Sequence, residues 1–372
     1  MGKQTIVCKF QVKQKIGGNM NQKNFELKPM RIGDVLDYSI EVFKSNFKNL
    51  SLLVLLLYLP WVFIYSLVTG KLLGDQASFY ADIFSAAIFQ SNYVEDIGRF
   101  NELQNNSIFT SILAQLVSLL HYGYKITIEL VFNAAVIRII YSHIVKGNAY
   151  KYDFNGIKGL IRDSFKYLPR MMGNAALFFV IFYIAYFVMI LIAVITAVIP
   201  IMVIVTTAPD SVFSVVAVIV IALLVSAGLV LALSYVMARV IFGAHAIVIE
   251  GYSVTESIKR SMALTKGNYW RVAPACIFAA ILFFLVGNMF STLSVLFLFI
   301  NDNLFRLMYT VTEVIGAFMY PFVMVFLTVL FVSIKIKNEG LDLEIKVDKL
   351  LEGKSQKQYT EYGILDEGST DA

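Results

Sequence analysis

The chain alternates between polar, basic segments that carry an apolar stripe and long apolar runs with almost no charge. Six runs are long enough to cross a ~30 Å hydrocarbon core, which takes about 20 residues of helix. They are Leu50–Val68, Ile126–Val145, Ala175–Ile199, Val212–Met237, Val272–Leu296 and Val311–Ile334. Before the first, third and fifth lies a segment of helical periodicity. In the first, Leu36, Ile40, Phe43 and Phe47 share a face, and Asp34 is placed to cap the helix. In the second, Asp153–Met171, the stripe is Ile157, Ile161, Phe165 and Leu168, with Pro169 as its stop. In the third, within Ile249–Val272, Ser253 and Glu256 fit a capping box and Gly267 suits a helix end. There Ile258 and Met262 face one way, and Tyr269 and Trp270 stand where an aromatic belt belongs. Each segment is expected as a helix lying in the headgroup plane. Pro60 predicts a kink in the first span. The stretch 108–145 is expected as an amphipathic start followed by one span. Thr5–Lys13 and Leu341–Val347 alternate as strands do.

The expected fold class is all-α, a polytopic helical membrane protein of about six transmembrane helices. These are arranged as three parallel helical-hairpin repeats (31–147, 153–251 and 253–340), each preceded by a cytoplasmic amphipathic interfacial helix. A basic leader (1–30) precedes the membrane domain (31–338), and a polar tail (339–372) follows it, largely disordered at its end. Without gaps, Asp34 over Glu256 brings Ser39 onto Ser261, Lys44 onto Lys266 and Asn46 onto Asn268. Glycines close the units at Gly147, Gly251 and Gly340. The Lys and Arg residues outside the spans and their ends number 25 on one side and 3 on the other. By the positive-inside rule both termini are cytoplasmic.

Charged residues make up 15% of the chain, against about 25% in soluble domains. The first 28 residues show no apolar signal-peptide core, so the first span is expected to direct insertion. Cys8 and Cys276 lie in unlike surroundings, which excludes a disulfide framework.

The segments IGDVLDYSIEVFKSNFKNL, IEGYSVTESIKRSMALTKGNYWRV and KIKNEGLDLEI resemble the membrane domain of bacterial glycerophosphoryl diester phosphodiesterases. The family-motif and interfacial candidates are Glu250, Gly251, Ser253, Glu256, Arg260, Ser261, Gly267, Trp270, Glu339, Gly340 and Asp342. The resemblance implies a membrane module in the bacterial plasma membrane. It does not carry the hydrolase activity, which needs a soluble barrel with a histidine, carboxylates and a metal site.

Candidate chemistry is sparse. There is no HExxH pair and no phosphate-binding GxxxxGK[ST] loop. His121, His143 and His245 are isolated, and the last two are expected at the interface. Ser253 after Gly251-Tyr252 suggests a nucleophile, but the helix cap explains it better. Intramembrane polar candidates are Lys125, Glu129, Arg138 and Arg239, since charge in a span is functional by default. Lys125 and Glu129 are four apart on one face; Arg138 is half a turn out of phase. Asn133 and Asn288 are candidates for hydrogen bonds between helices. No catalytic set, cofactor or metal is expected, and the chain is not read as an enzyme. The expected partners are membrane lipid with anionic headgroups and a second membrane protein or another copy, not nucleic acid. The leading expectation is a non-catalytic membrane scaffold or accessory subunit. The alternative is a transporter or lipid-handling protein, with Lys125, Glu129 and Arg138 lining its path. An intramembrane enzyme is the least favoured reading.

Overall fold

The helix-forming runs are interrupted by proline, glycine and back-bonding hydroxyls, and the computed structural model shows what each interruption does. It describes residues 30–71, 112–146, 153–207, 212–294, 296–297, 301–341, 343 and 347. Among the described residues all regular structure is helical, with no strand. The helices are α1 (Ile32–Lys71), α2 (Ile112–Val145), α3 (Phe154–Ile204), α4 (Val212–Glu250), α5 (Val254–Thr265), α6 (Tyr269–Ser294), α7 (Asp302–Met319) and α8 (Pro321–Glu339). Five are long and apolar enough to cross a membrane, counting α7–α8 as one, and six if the bent pair α5–α6 is included. The chain is therefore a helical multi-pass membrane protein.

Two helices are covered on all sides over part of their length. Along α2 every residue from Val131 to Ile140 is buried except Arg138, which is half-buried. On α8 the run Val325–Ile334 is buried throughout. Helix α1 packs on both. Helices α3 and α4 form a hairpin packed on one another, and the most apolar stretch of neither is buried.

The polar segments expected as separate interfacial helices behave differently. In α1 and α3 the segment runs on into the span, through a 3-10 turn at Phe165–Tyr167 in α3. Pro169 does not end the helix, because it falls in the first turn after that 3-10 turn, where a missing N–H costs nothing. Only α5 is set off, by a bend of 116° before α6. Asp34 is not the cap of α1 but its third residue; it accepts from the Arg31 N–H at 3.0 Å.

The expected stripes coincide only in part with the buried faces: Phe43, Ile157 and Ile258 are buried. On α1 the buried positions are Val35, Ser39, Val42, Phe43, Asn46, Asn49, Leu50 and Leu53, while Phe47 is 44% exposed. On α5 they are Ser257, Ile258, Ser261, Leu264 and Thr265, with Met262 exposed. The physical reason is the solvent. Lipid is as apolar as leucine, so helices in it associate through small and hydrogen-bonding residues, and part of each apolar stripe, Phe47 and Met262, turns outward.

The stretch 112–145 is one helix rather than a helix and a span, broken by a π turn at Lys125–Glu129. There the Thr127 hydroxyl donates to the Gly123 carbonyl at 2.7 Å, a back-bond that loosens a helix. Helix α1 likewise carries a π turn, Val54–Tyr58, just before Pro60, whose missing N–H already breaks the ladder. The residues Leu341, Leu343 and Val347 are helical, not strand. The leader and its Thr5–Lys13 alternation, with Gly147, lie outside the described residues.

Candidate functional site

Two polar constellations stand at opposite ends of the helical bundle. Tyr320 and Glu339 bracket α8, and at 1.5 Å per residue they are about 28 Å apart. That separation matches a ~30 Å hydrocarbon core.

At the Glu339 end, α4 terminates on Gly251 and α8 on Gly340, both left-handed with φ of 75° and 64°. Only glycine adopts this conformation without strain, so each helix stops with a glutamate just before its cap. Arg260 on α5 sits between the two glutamates. It binds Glu250 through Nε (2.8 Å) and NH2 (2.9 Å), and Glu339 through NH1 (2.5 Å) and NH2 (2.7 Å). Lys335 Nζ completes the group at 2.7 Å from Glu250. Two cations meet two anions, every side chain is under a third exposed, and the Arg260 guanidinium is held well above its ordinary range by its hydrogen bonds to Glu250, against the opposing effect of burial.

Around this clamp the remaining motif residues tie helix ends together. The Gly251 carbonyl accepts from Arg170 at 3.1 Å. Ser253 and Glu256 form the expected capping box; the Ser253 hydroxyl, then its backbone N–H, hold the Glu256 carboxyl below its usual range. Ser261 Oγ accepts from the Phe242 N–H at 3.2 Å. Arg239 reaches the Met262 carbonyl and the Tyr235 hydroxyl. Gly267 is left-handed, and Trp270 is 79% exposed. Asp342 lies outside the described residues.

The clamp has members that the sequence reading did not single out. Lys335 is one; its spacing of four from Glu339 is the available signal. A second set joins Lys337 to Asn268 (2.5 Å), Asn268 to Asn338 (3.0 Å) and Asn338 to the Leu264 carbonyl (2.8 Å). His245, expected at the interface, is buried instead; its Nε2 lies 3.2 Å from Thr328 Oγ1 and its ring stacks on Phe331.

At the Tyr320 end three helical irregularities meet: the π turns of α1 and α2, and the α7–α8 junction before Pro321. Tyr58 stacks on Tyr320 at 5.0 Å and touches Tyr124 and Phe132 edgewise or tilted. The Tyr124 hydroxyl donates to the Leu57 carbonyl at 3.2 Å. Trp61 stacks on Tyr124 and donates to His121 Nδ1 at 3.1 Å. Inside this aromatic layer Glu129 accepts a hydrogen bond from the Tyr320 hydroxyl. The intramembrane candidates thus separate. Glu129 enters the layer, Lys125 is exposed beside it, and Arg138 lies over the Tyr167 ring at 5.8 Å, toward the other end.

Chemically the two ends differ. The clamp is saturated, with each charge met by its opposite. The aromatic layer is not, because Glu129 Oε2 is buried without a hydrogen-bond partner. Among the described residues no group of three or more His, Cys, Asp or Glu side chains is placed to hold a metal ion. No curated protein and no solved structure matches the chain. Residues 160–337 match a family described as a domain of unknown function, DUF7847, a stretch that contains Glu250, Arg260, Lys335 and Tyr320.

Proposed function

We propose that the chain is a non-catalytic membrane scaffold or accessory subunit. Its clamped bundle presents the α3–α4 hairpin to a second membrane protein or a second copy. The observation that carries this is the contrast in burial between α8, covered along its middle, and the hairpin, whose most apolar stretches contain no buried residue. Photo-crosslinkers at the exposed Phe187 and Leu223, with buried Phe331 as control, test it in native membranes. One adduct of defined mass from both hairpin sites is the expected result. A protein that stays monomeric and free of adducts refutes it.

Several observations support the finer architecture within this reading. With Asp34 over Glu256, the buried positions of α1 fall on those of α5–α6: Ser39 on Ser261, Val42 on Leu264, Asn46 on Asn268, Leu50 on Val272. This supports parallel hairpin repeats. The excess of Lys and Arg at the clamp end supports cytoplasmic termini in a plasma membrane. Exposed Lys44, Lys48, Lys158 and Lys259 at that end fit anionic headgroups, and the amphipathic segments fit an interfacial position. The segments that resemble the phosphodiesterase membrane domain favour a membrane module over a hydrolase.

One observation favours the second reading, a transporter or lipid-handling protein. It is the Glu129 carboxyl set in an aromatic layer where three spans are irregular. On that reading Glu129→Gln abolishes a flux that deletion of the protein also removes; an unchanged flux eliminates it.

A further inference from the structure

We propose that Glu129, Tyr320 and Asn133 form a proton-binding site at the end of the membrane core opposite the ion clamp. Glu129 and Asn133 are four residues apart, on one face of α2. Glu129 accepts a hydrogen bond from the hydroxyl of Tyr320, which stands at the junction before the last helical segment. Each also keeps one buried acceptor without a partner, Oε2 of Glu129 and Oδ1 of Asn133. The ladder therefore has two proton arrangements. With Glu129 ionised, the Tyr320 hydroxyl donates to Glu129. With a proton on Glu129 Oε1, that O–H donates to the Tyr320 oxygen. The Tyr320 hydroxyl then turns toward the buried, unpartnered Oδ1 of Asn133. The added proton comes from water at that membrane face and returns there; no other group gains or loses one.

The second arrangement satisfies the Asn133 oxygen, which the first leaves unpaired, and an unpaired buried acceptor costs about 1–3 kcal/mol. It also removes a charge from the membrane, where an unneutralised carboxylate is expensive. Lys125, one helical turn earlier, is exposed, and its charge reaches Glu129 only from that exposed position. The other titratable groups around the site are the phenols of Tyr58 on α1 and Tyr124 on α2, and the Glu313 carboxyl on α7, which bears on Tyr58. Helix α6 brings Phe283 against Tyr320. None of these supplies a cation to hold Glu129 ionised. The site does not depend on the scaffold reading and stands or falls separately from it.

The test is pH-difference infrared spectroscopy on the full chain in lipid nanodiscs, for wild type, Glu129→Gln, Glu313→Gln and Tyr320→Phe. A protonated-carboxyl band should titrate in wild type, vanish in Glu129→Gln, persist in Glu313→Gln and shift its midpoint in Tyr320→Phe. A band that survives in Glu129→Gln, or vanishes only in Glu313→Gln, overturns the proposal. If Glu129→Gln fails to fold, dicyclohexylcarbodiimide labelling of wild type decides, because this apolar reagent attacks protonated carboxyls. An adduct on Glu129 that falls about tenfold per pH unit above the midpoint supports the site. Adducts on other carboxyls with none on Glu129 at any pH refute it.

Discussion

Replacing Arg260 by Ala removes the one side chain that bridges the glutamates closing α4 and α8. Four nitrogen–oxygen contacts go, two to Glu250 and two to Glu339. Glu250 keeps Lys335, whereas Glu339 loses its bidentate partner. Breaking a fully buried pair costs about 3–5 kcal/mol and an exposed one about 0–1 kcal/mol. The side chains here are 21%, 11% and 31% exposed, so the expected loss is intermediate, about 2–3 kcal/mol. At about 2 °C per kcal/mol for a large chain, the melting temperature drops by roughly 5 °C. Glu339→Gln touches only the most exposed member and should cost about 1 kcal/mol or less. Arg260→Lys restores one charge without the two-sided fork and should fall between them. Cys276 supplies the assay: it is buried and free, and in a Cys8→Ser background it is the single thiol, so a thiol-reactive dye reports its exposure on heating in detergent. Equal shifts for Arg260→Ala and Glu339→Gln, or no shift for the former, would refute the view that Arg260 holds the helix ends together.

Other expectations come from single contacts. Gly251→Ala forces a φ of 75° on a residue with a Cβ and should lose about 1–2 kcal/mol in the same thermal assay. Gly243→Ala drives its new carbon to within 2.4 Å of Asn174 Oδ1; it should destabilise, and Asn174→Ala in the same chain should recover most of the loss. Ser39→Leu overfills a fully buried position on α1 and should cost about 1–3 kcal/mol. Phe47→Leu on the outward stripe should melt as wild type does, and the reverse order would show that the stripe faces the core. Glu256 is held below its usual range by Ser253, so its contribution is present above the ordinary carboxylate range and lost as pH falls through the depressed folded value. Glu256→Gln should flatten the acid limb of the melting-temperature profile.

The spans were legible in the sequence because a charge-free apolar run has one stable solution in lipid, a helix. The runs Leu50–Val68 and Val212–Met237 lie wholly within α1 and α4. The three left-handed glycines, Gly251, Gly267 and Gly340, were legible too, or at least their helix ends were. The buried face was less legible. The stripe Leu36, Ile40, Phe43 and Phe47 is expected against the headgroups, yet Phe43 packs into the core while Phe47 is exposed. Ser39, Asn46 and Asn49 then pack inward, where a count of apolar residues does not look. The helix breaks were also hard to place. Pro60 marked its break, whereas the π turn at Lys125–Glu129 rests on a hydroxyl back-bond from Thr127 that any threonine could make.

The polar residues divide for a related reason. Periodicity relates positions along one helix, so it paired Lys125 with Glu129, four apart, and set Arg138 aside. The contacts that matter run between helices. Glu129 finds Tyr320, 191 positions later, and Arg260 finds Glu339, 79 positions later. The second meeting left a trace, because both glutamates precede a left-handed glycine and a helix end exposes its last side chains to a neighbouring arginine. The first left none, since a tyrosine in an apolar run reads as one more aromatic. A buried carboxyl in a span must nevertheless meet some hydrogen-bond donor, cation or proton. With Lys125 exposed, that requirement alone directs the search to hydroxyls on the facing helices, and Tyr320 is what it finds.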